Sequence, residues 1–131
     1  MATQTAQINP DGSAPQLEIR FGHANIGVYR IYRWETAAHS IPIARGNNLS
    51  DPVGRVSLGA PSGLLTGATI GFEAIVQSTL TGPGQPYSVV VEIRQDNAIV
   101  PGGVFSGIGK LNDHGAKSVI GFITFEHFQQ L

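Results

Sequence analysis

Period-two alternation of apolar and polar residues runs through seven or eight stretches of this 131-residue chain, and Gly, Pro, Asn or Asp fills nearly every gap between them. Successive side chains of an extended strand point to opposite faces, so each such stretch buries one face and wets the other. Turn residues at this spacing let each strand reverse against its neighbour. The pattern predicts an all-β, single-domain antiparallel β-sandwich of about seven to eight strands. It shows no helical stripe of useful length and no internal repeat.

In residues 16–21, Leu17, Ile19 and Phe21 alternate with Gln16, Glu18 and Arg20, as in a half-buried strand. From Ile26 to Glu35, Ile26 and Val28 share a face with Tyr32 and Trp34 while Tyr29 and Ile31 lie opposite, which implies a β-bulge or burial on both faces. Pro42, between Ile41 and Ile43, has no N–H to give a ladder and so places a short strand at a sheet edge. A further short strand spans residues 55–60. In residues 68–80, Ile70, Phe72, Ala74, Val76 and Leu80 face one way and Glu73, Gln77 and Thr79 the other. Asp96-Asn97 suits a tight hairpin turn because both residues tolerate positive φ. Two last strands, near 98–111 and 117–128, flank the turn Asn112-Asp113-His114-Gly115. The expected core is Ile70, Phe72, Val76, Tyr87, Val89, Val91, Ile93, Ile120 and Phe122. Residues 1–15 hold few large apolar groups and read as a flexible N-terminal tail ahead of a β-sandwich domain at 16–131. The rhythm of residues 63–76 and 87–93, a glycine turn, a strand, a loop and a second strand, resembles immunoglobulin-like sandwiches at the level of fold, without their Cys and Trp landmarks. A jelly-roll-like arrangement fits the same pattern.

Composition narrows the chemistry. The chain has no cysteine, which excludes disulfides, thiolate metal sites and thiol nucleophiles. A formal charge of −1 gives no field to attract DNA, RNA or an anionic membrane, so no nucleic-acid partner is expected. The sequence shows no signal peptide and no apolar run long enough for membrane insertion, and it reads as soluble, with its compartment undetermined. Charged residues are only 13 % of the chain, against about 25 % in an average domain, and lysine occurs only at Lys110 and Lys117. A β-protein nearly without lysine guards its edges by closure, by Pro and Gly, or with a partner chain, and a homo-oligomer is expected.

No catalytic motif is complete. Neither Ser62 nor Ser106 sits in a Gly-x-Ser-x-Gly elbow. The run from Gly103 to Leu111 fails as a phosphate loop: Val104 stands where a glycine is required and Leu111 where a hydroxyl is, so its glycines imply a closely approached strand instead. His23, His39, His114 and His127 show no short ligand spacing. An enzyme is therefore the less favoured expectation, and a hydrolase without a readable motif stands third among the functions considered.

Two constellations suit binding. Tyr29, Arg30, Tyr32, Arg33 and Trp34 interleave aromatics with cations, with Arg30, Tyr32 and Trp34 on one strand face and Tyr29, Ile31 and Arg33 on the other. Aromatic faces stack on sugar rings and arginine adds charge-assisted hydrogen bonds, so this strand is a candidate carbohydrate or small-ligand site, although aromatics of this kind also anchor cores. Turn parity supplies the second. If every connection reverses the chain, the turns at 22–25, 46–52, 81–85 and 112–115 share one end of the domain, gathering His23, Asn25, Asn47, Asn48, Ser50, Asp51, Asn112, Asp113 and His114. Such a loop end could hold calcium, with His23, Asp51 and Asp113 as candidate ligands, although Asn and Asp also populate turns for local reasons. No other cofactor is implied. Asn48-Leu49-Ser50 matches a glycosylation acceptor.

The last strand has apolar residues on both faces. With Ile120 and Phe122 inward, Val119, Ile123 and Phe125 would point outward as an oligomer interface. The leading expectation is a non-enzymatic β-sandwich interaction or structural module, working as a homo-oligomer or in a larger assembly with a protein or glycan partner.

Overall fold

The computed structural model describes residues 2–23, 25–36, 38–49, 51–58, 65, 67–80, 82, 84–111 and 116–127. Among these, nine strands form two sheets: β1 (Ala2–Ile8), β2 (Gln16–Phe21), β3 (Asn25–Thr36), β4 (His39–Asn47), β5 (Val53–Ser57), β6 (Thr69–Ser78), β7 (Pro86–Gln95), β8 (Ala98–Lys110) and β9 (Ala116–His127). One sheet runs β1-β9-β6-β3-β4 and the other β5-β2-β7-β8. All pairs are antiparallel except β1 with β9, which run parallel. The all-β sandwich expected from the alternation is the fold, with nine strands rather than seven or eight.

The core lies between the sheets. Ile70, Phe72 and Val76 on β6 and Tyr87, Val89, Val91 and Ile93 on β7 are buried, as their alternation predicts, together with Leu17, Ile19 and Ile31. The Phe72 and Phe105 rings meet edge-on at 4.7 Å between centroids, joining the two layers. Asp96 and Asn97 take φ of 54° and 63°, the left-handed pair that a two-residue hairpin turn requires. Pro42 lies on β4, an edge strand, where no neighbour needs its missing N–H. The double-faced pattern of β3 comes from apolar residues on both sides, Tyr29 and Ile31 inward and Ile26, Val28, Tyr32 and Trp34 on the outer side, where Ile26 and Val28 are exposed; its register with β6 is unbroken, and against β4 it shifts between Ile31 and Tyr32 and between Trp34 and Thr36.

Two expectations are corrected. On β9 the inward residues are Val119, Gly121, Ile123 and Phe125, so the proposed interface residues Val119, Ile123 and Phe125 are core, while Ile120 is 41 % exposed and Phe122 half-buried on the outer face. The reason is Gly121, which pairs with Phe72 and leaves room for the Phe72 ring. Gly121 interrupts the inner apolar row at its middle, opposite the adjacent pair Ile120 and Phe122 on the outer side.

The second correction concerns residues 1–15. Ala2–Ile8 is a strand, and Ala6 and Ile8 are fully buried. Polar side chains hold this segment in place. Gln4 Nε2 donates to the carbonyls of Gly102 and Val104 on β8, at 2.8 and 2.6 Å. Gly102, at φ 72°, lies so close to the Thr5 carbonyl that a Cβ would collide with it. Beyond β1, Gln95 accepts from the Asn9 N–H and donates to the carbonyls of Asn9 and Ser13, while Asp96 accepts from the Ser13 N–H. A segment of mostly small and polar residues therefore orders here through hydrogen bonds to the β7–β8 hairpin.

Candidate functional site

The five-stranded sheet has core on its inner side and a second apolar surface on its outer side. Cross-strand register sets the outer residues of β4, β3, β6 and β9 in rows: Asn47–Val28–Ile75–Ser118, Arg45–Arg30–Glu73–Ile120, Pro42–Tyr32–Gly71–Phe122 and Ser40–Trp34–Thr69–Thr124. Ile26, opposite Gln77, begins a fifth row. Val28 and Ile75, directly opposed at its centre, are 45 % and 44 % exposed.

Aromatic rings fill one end of this face. Trp34 stands 5.8 Å from Tyr32 and 5.6 Å from Phe122, centroid to centroid, and lies across Gly71, whose missing side chain leaves it space. Beside this ledge the surface is charged. Arg30 is flanked by Arg45 on β4 and Glu73 on β6. A directly opposed pair of like charges destabilises a sheet, whereas Arg30 and Glu73 attract. An open concavity of about 470 Å³ is lined by Val28, Arg30, Arg45, Asn47, Glu73 and Ile75, among others, and a second of about 460 Å³ by Arg30, Tyr32, Pro42, Ala44 and Arg45.

The structure divides the aromatic–cationic strand as its parity predicts. Arg30, Tyr32 and Trp34 share the outer face. Tyr29 turns inward, stacks on Phe21 at 6.5 Å and packs against Gly46 and Gly54. Burial, and then the negative charge of Asp51, push its phenol above the ordinary value of 10.0. Arg33 donates to the Leu58 carbonyl at 2.6 Å. Tyr29 and Arg33 thus tie β3 to the β4 and β5 side of the sandwich.

The outer face of the four-stranded sheet has Ile99, Val104 and Ile108 exposed along β8 and a charge cluster at its centre. Glu18 and Glu92, opposite each other on β2 and β7, are nearly buried under three arginines. Arg20 Nη2 reaches Glu18 Oε2 and its Nη1 reaches Glu92 Oε1, each at 2.7 Å, while Arg55 and Arg94 approach Glu18 at 3.3 Å. Two opposed carboxylates occur in glycosidases, but this pair is held in ion pairs by the surrounding guanidinium groups.

Of the turn-parity grouping, Asn25 and Asn48 are brought into contact. Asn48 accepts from the Gly27 N–H and donates to the Asn25 carbonyl, and Asn25 donates to the Pro86 carbonyl and accepts from the Ser88 N–H, so Asn25, Asn48 and the start of β7 meet at one end. Asn47 and Asp51 each accept a backbone N–H two residues ahead. These side chains close turns. His23 is exposed at φ 55°, and Ser50, Asn112, Asp113 and His114 lie outside the described residues. Among the described residues no group of three or more His, Asp or Glu is placed to hold a metal ion.

Arg45, Glu73, Ile75, Ile120 and Phe122 complete the outer face and were not legible as a site. The available signal was an apolar residue on the polar side of β3, β6 and β9 alike. Only the strand order shows that these three strands are neighbours. Among the described residues no helix is long and apolar enough to cross a membrane. Comparison with protein-family models, with curated proteins and with solved structures finds no match.

Proposed function

We propose that this protein is a non-enzymatic interaction module that works through the outer face of its five-stranded sheet, in a homo-oligomer. One observation carries this: Ile26, Val28, Tyr32, Trp34, Ile75, Ile120 and Phe122 stand together on the solvent side of a sheet whose other side is already core. Antiparallel sheets of an isolated sandwich solvate their outer face with polar residues, and contiguous apolar surface of this extent marks a binding surface. Trp34, the single tryptophan, sits on the face and reports on it. Its emission is expected to shift to the red on dilution as the copies separate, and Ile75→Lys, at an exposed position, is expected to give a folded protein with the red-shifted emission at every concentration. Emission independent of concentration in the parent protein would contradict self-association.

The concavity beside Arg30, Arg45, Asn47 and Glu73 favours a second reading, a carbohydrate-binding module with Tyr32 and Trp34 as its stacking platform. On that reading Trp34 emission is unaffected by dilution and responds to added oligosaccharide.

A further inference from the structure

Resting on that self-association, we propose that two copies pack face to face about a two-fold axis running parallel to the strands, between β3 and β6, so that Arg30 of each copy pairs with Glu73 of the other. The charged row determines the choice. Its order across the sheet is Arg45, Arg30, Glu73, Ile120. A two-fold axis along the strands between β3 and β6 inverts that order, setting Arg30 over Glu73 and Glu73 over Arg30 of the second copy. An axis across the strands leaves the order unchanged: through this row it sets Arg30 over Arg30 and Glu73 over Glu73, and through a neighbouring row it sets both charges over uncharged residues such as Trp34 and Thr69 or Ile26 and Gln77. An axis lying along β3 or β6 also brings like charges together. Burying a charge against its like adds repulsion to the cost of desolvation, whereas an opposite charge within hydrogen-bond reach offsets that cost.

The neighbouring rows agree with this axis. Val28 of one copy falls over Ile75 of the other, and Pro42 over Phe122. Arg45 lays its aliphatic stem over Ile120 and keeps its guanidinium at the rim. Four rows on four strands and a fifth on three, spaced two residues apart, span a footprint of about 620 Å² per copy at ordinary strand spacing, so the pair buries about 1,200 Å², at the lower end of stable interfaces. Twist opens two such sheets to about 30°, and the central Val28–Ile75 and Arg30–Glu73 rows are those that remain in register.

Charge reversal tests the arrangement. Arg30→Glu and Glu73→Arg are each expected to raise the dimer dissociation constant by about 100-fold, since each breaks two pairs. Mixing the two variants in equal amounts is expected to produce a heterodimer, because both intermolecular pairs are then of opposite charge. Rescue on mixing cannot come from within a chain, where each variant keeps two like charges side by side. The double variant Arg30→Glu/Glu73→Arg keeps opposite charges across β3 and β6, which protects the fold. It is expected to form its own dimer and not to exchange subunits with the parent. Sedimentation velocity reads the parent, the two single variants, their mixture and the double variant, native mass spectrometry with an isotopically labelled parent reads exchange with the double variant, and circular dichroism confirms the fold. A dimeric parent whose reversal variants dimerise equally well, or whose double variant exchanges freely with it, would overturn this axis and leave self-association standing. A monomeric parent would overturn both.

Discussion

At Gly121 a methyl group would run into the Phe72 ring, and at Gly71 into Trp34, so each glycine stands under an aromatic from the neighbouring strand. Gly121→Ala is expected to cost about 1–3 kcal/mol, because the Phe72 ring is held between the layers by Phe105 and cannot retreat without strain. A urea midpoint unchanged from the parent would show that the ring relaxes. Tyr29 gives a second residue-scale prediction. Its phenol titrates above 10.0 in the folded protein and near that value when unfolded, so above about pH 10 the unfolded chain loses the proton first. The stabilisation tied to the neutral phenol is therefore complete below pH 10 and falls as pH rises through the folded value. Tyr29→Phe is expected to remove that part of the alkaline loss of stability, and ultraviolet titration of the parent should show one of its three tyrosines ionising late.

Among the elements, β1 is the one whose local composition misleads. Among its described side chains Ala6 and Ile8 are the apolar ones buried, and parallel pairing with β9 bonds one edge of its backbone while Gln4 bonds across to β8. Ile8→Ala is expected to cost about 2–5 kcal/mol in urea unfolding, the range for a buried isoleucine, whereas a loosely attached tail would give a change near zero. Strands β6 and β7 were legible because alternation and burial agree, and Pro42 and Asp96-Asn97 were legible because each has a local backbone reason. The inner face of β9 was not legible, since Val119, Ile123 and Phe125 compete with Ile120 and Phe122 and only the pairing of Gly121 with Phe72 decides between them. The charge cluster around Glu18 and Glu92 was hidden for the same kind of reason: period two places each residue on an outer face, and the register of β2 against β5 and β7 brings them together.

For the whole molecule, the two outer faces are unlike. One has an ion-pair cluster of Glu18, Glu92 and their arginines at its centre with Ile99, Val104 and Ile108 exposed along β8, and the other carries apolar and aromatic side chains around the Arg45–Arg30–Glu73 row. Low overall charge and the near absence of lysine accord with a protein that covers a sheet with another chain. The most direct test is the mass of the unmodified protein by light scattering across micromolar to submillimolar concentration. The result expected is twice the 13.8 kDa mass of the chain, falling toward one chain on dilution. A mass of one chain at every concentration would contradict it.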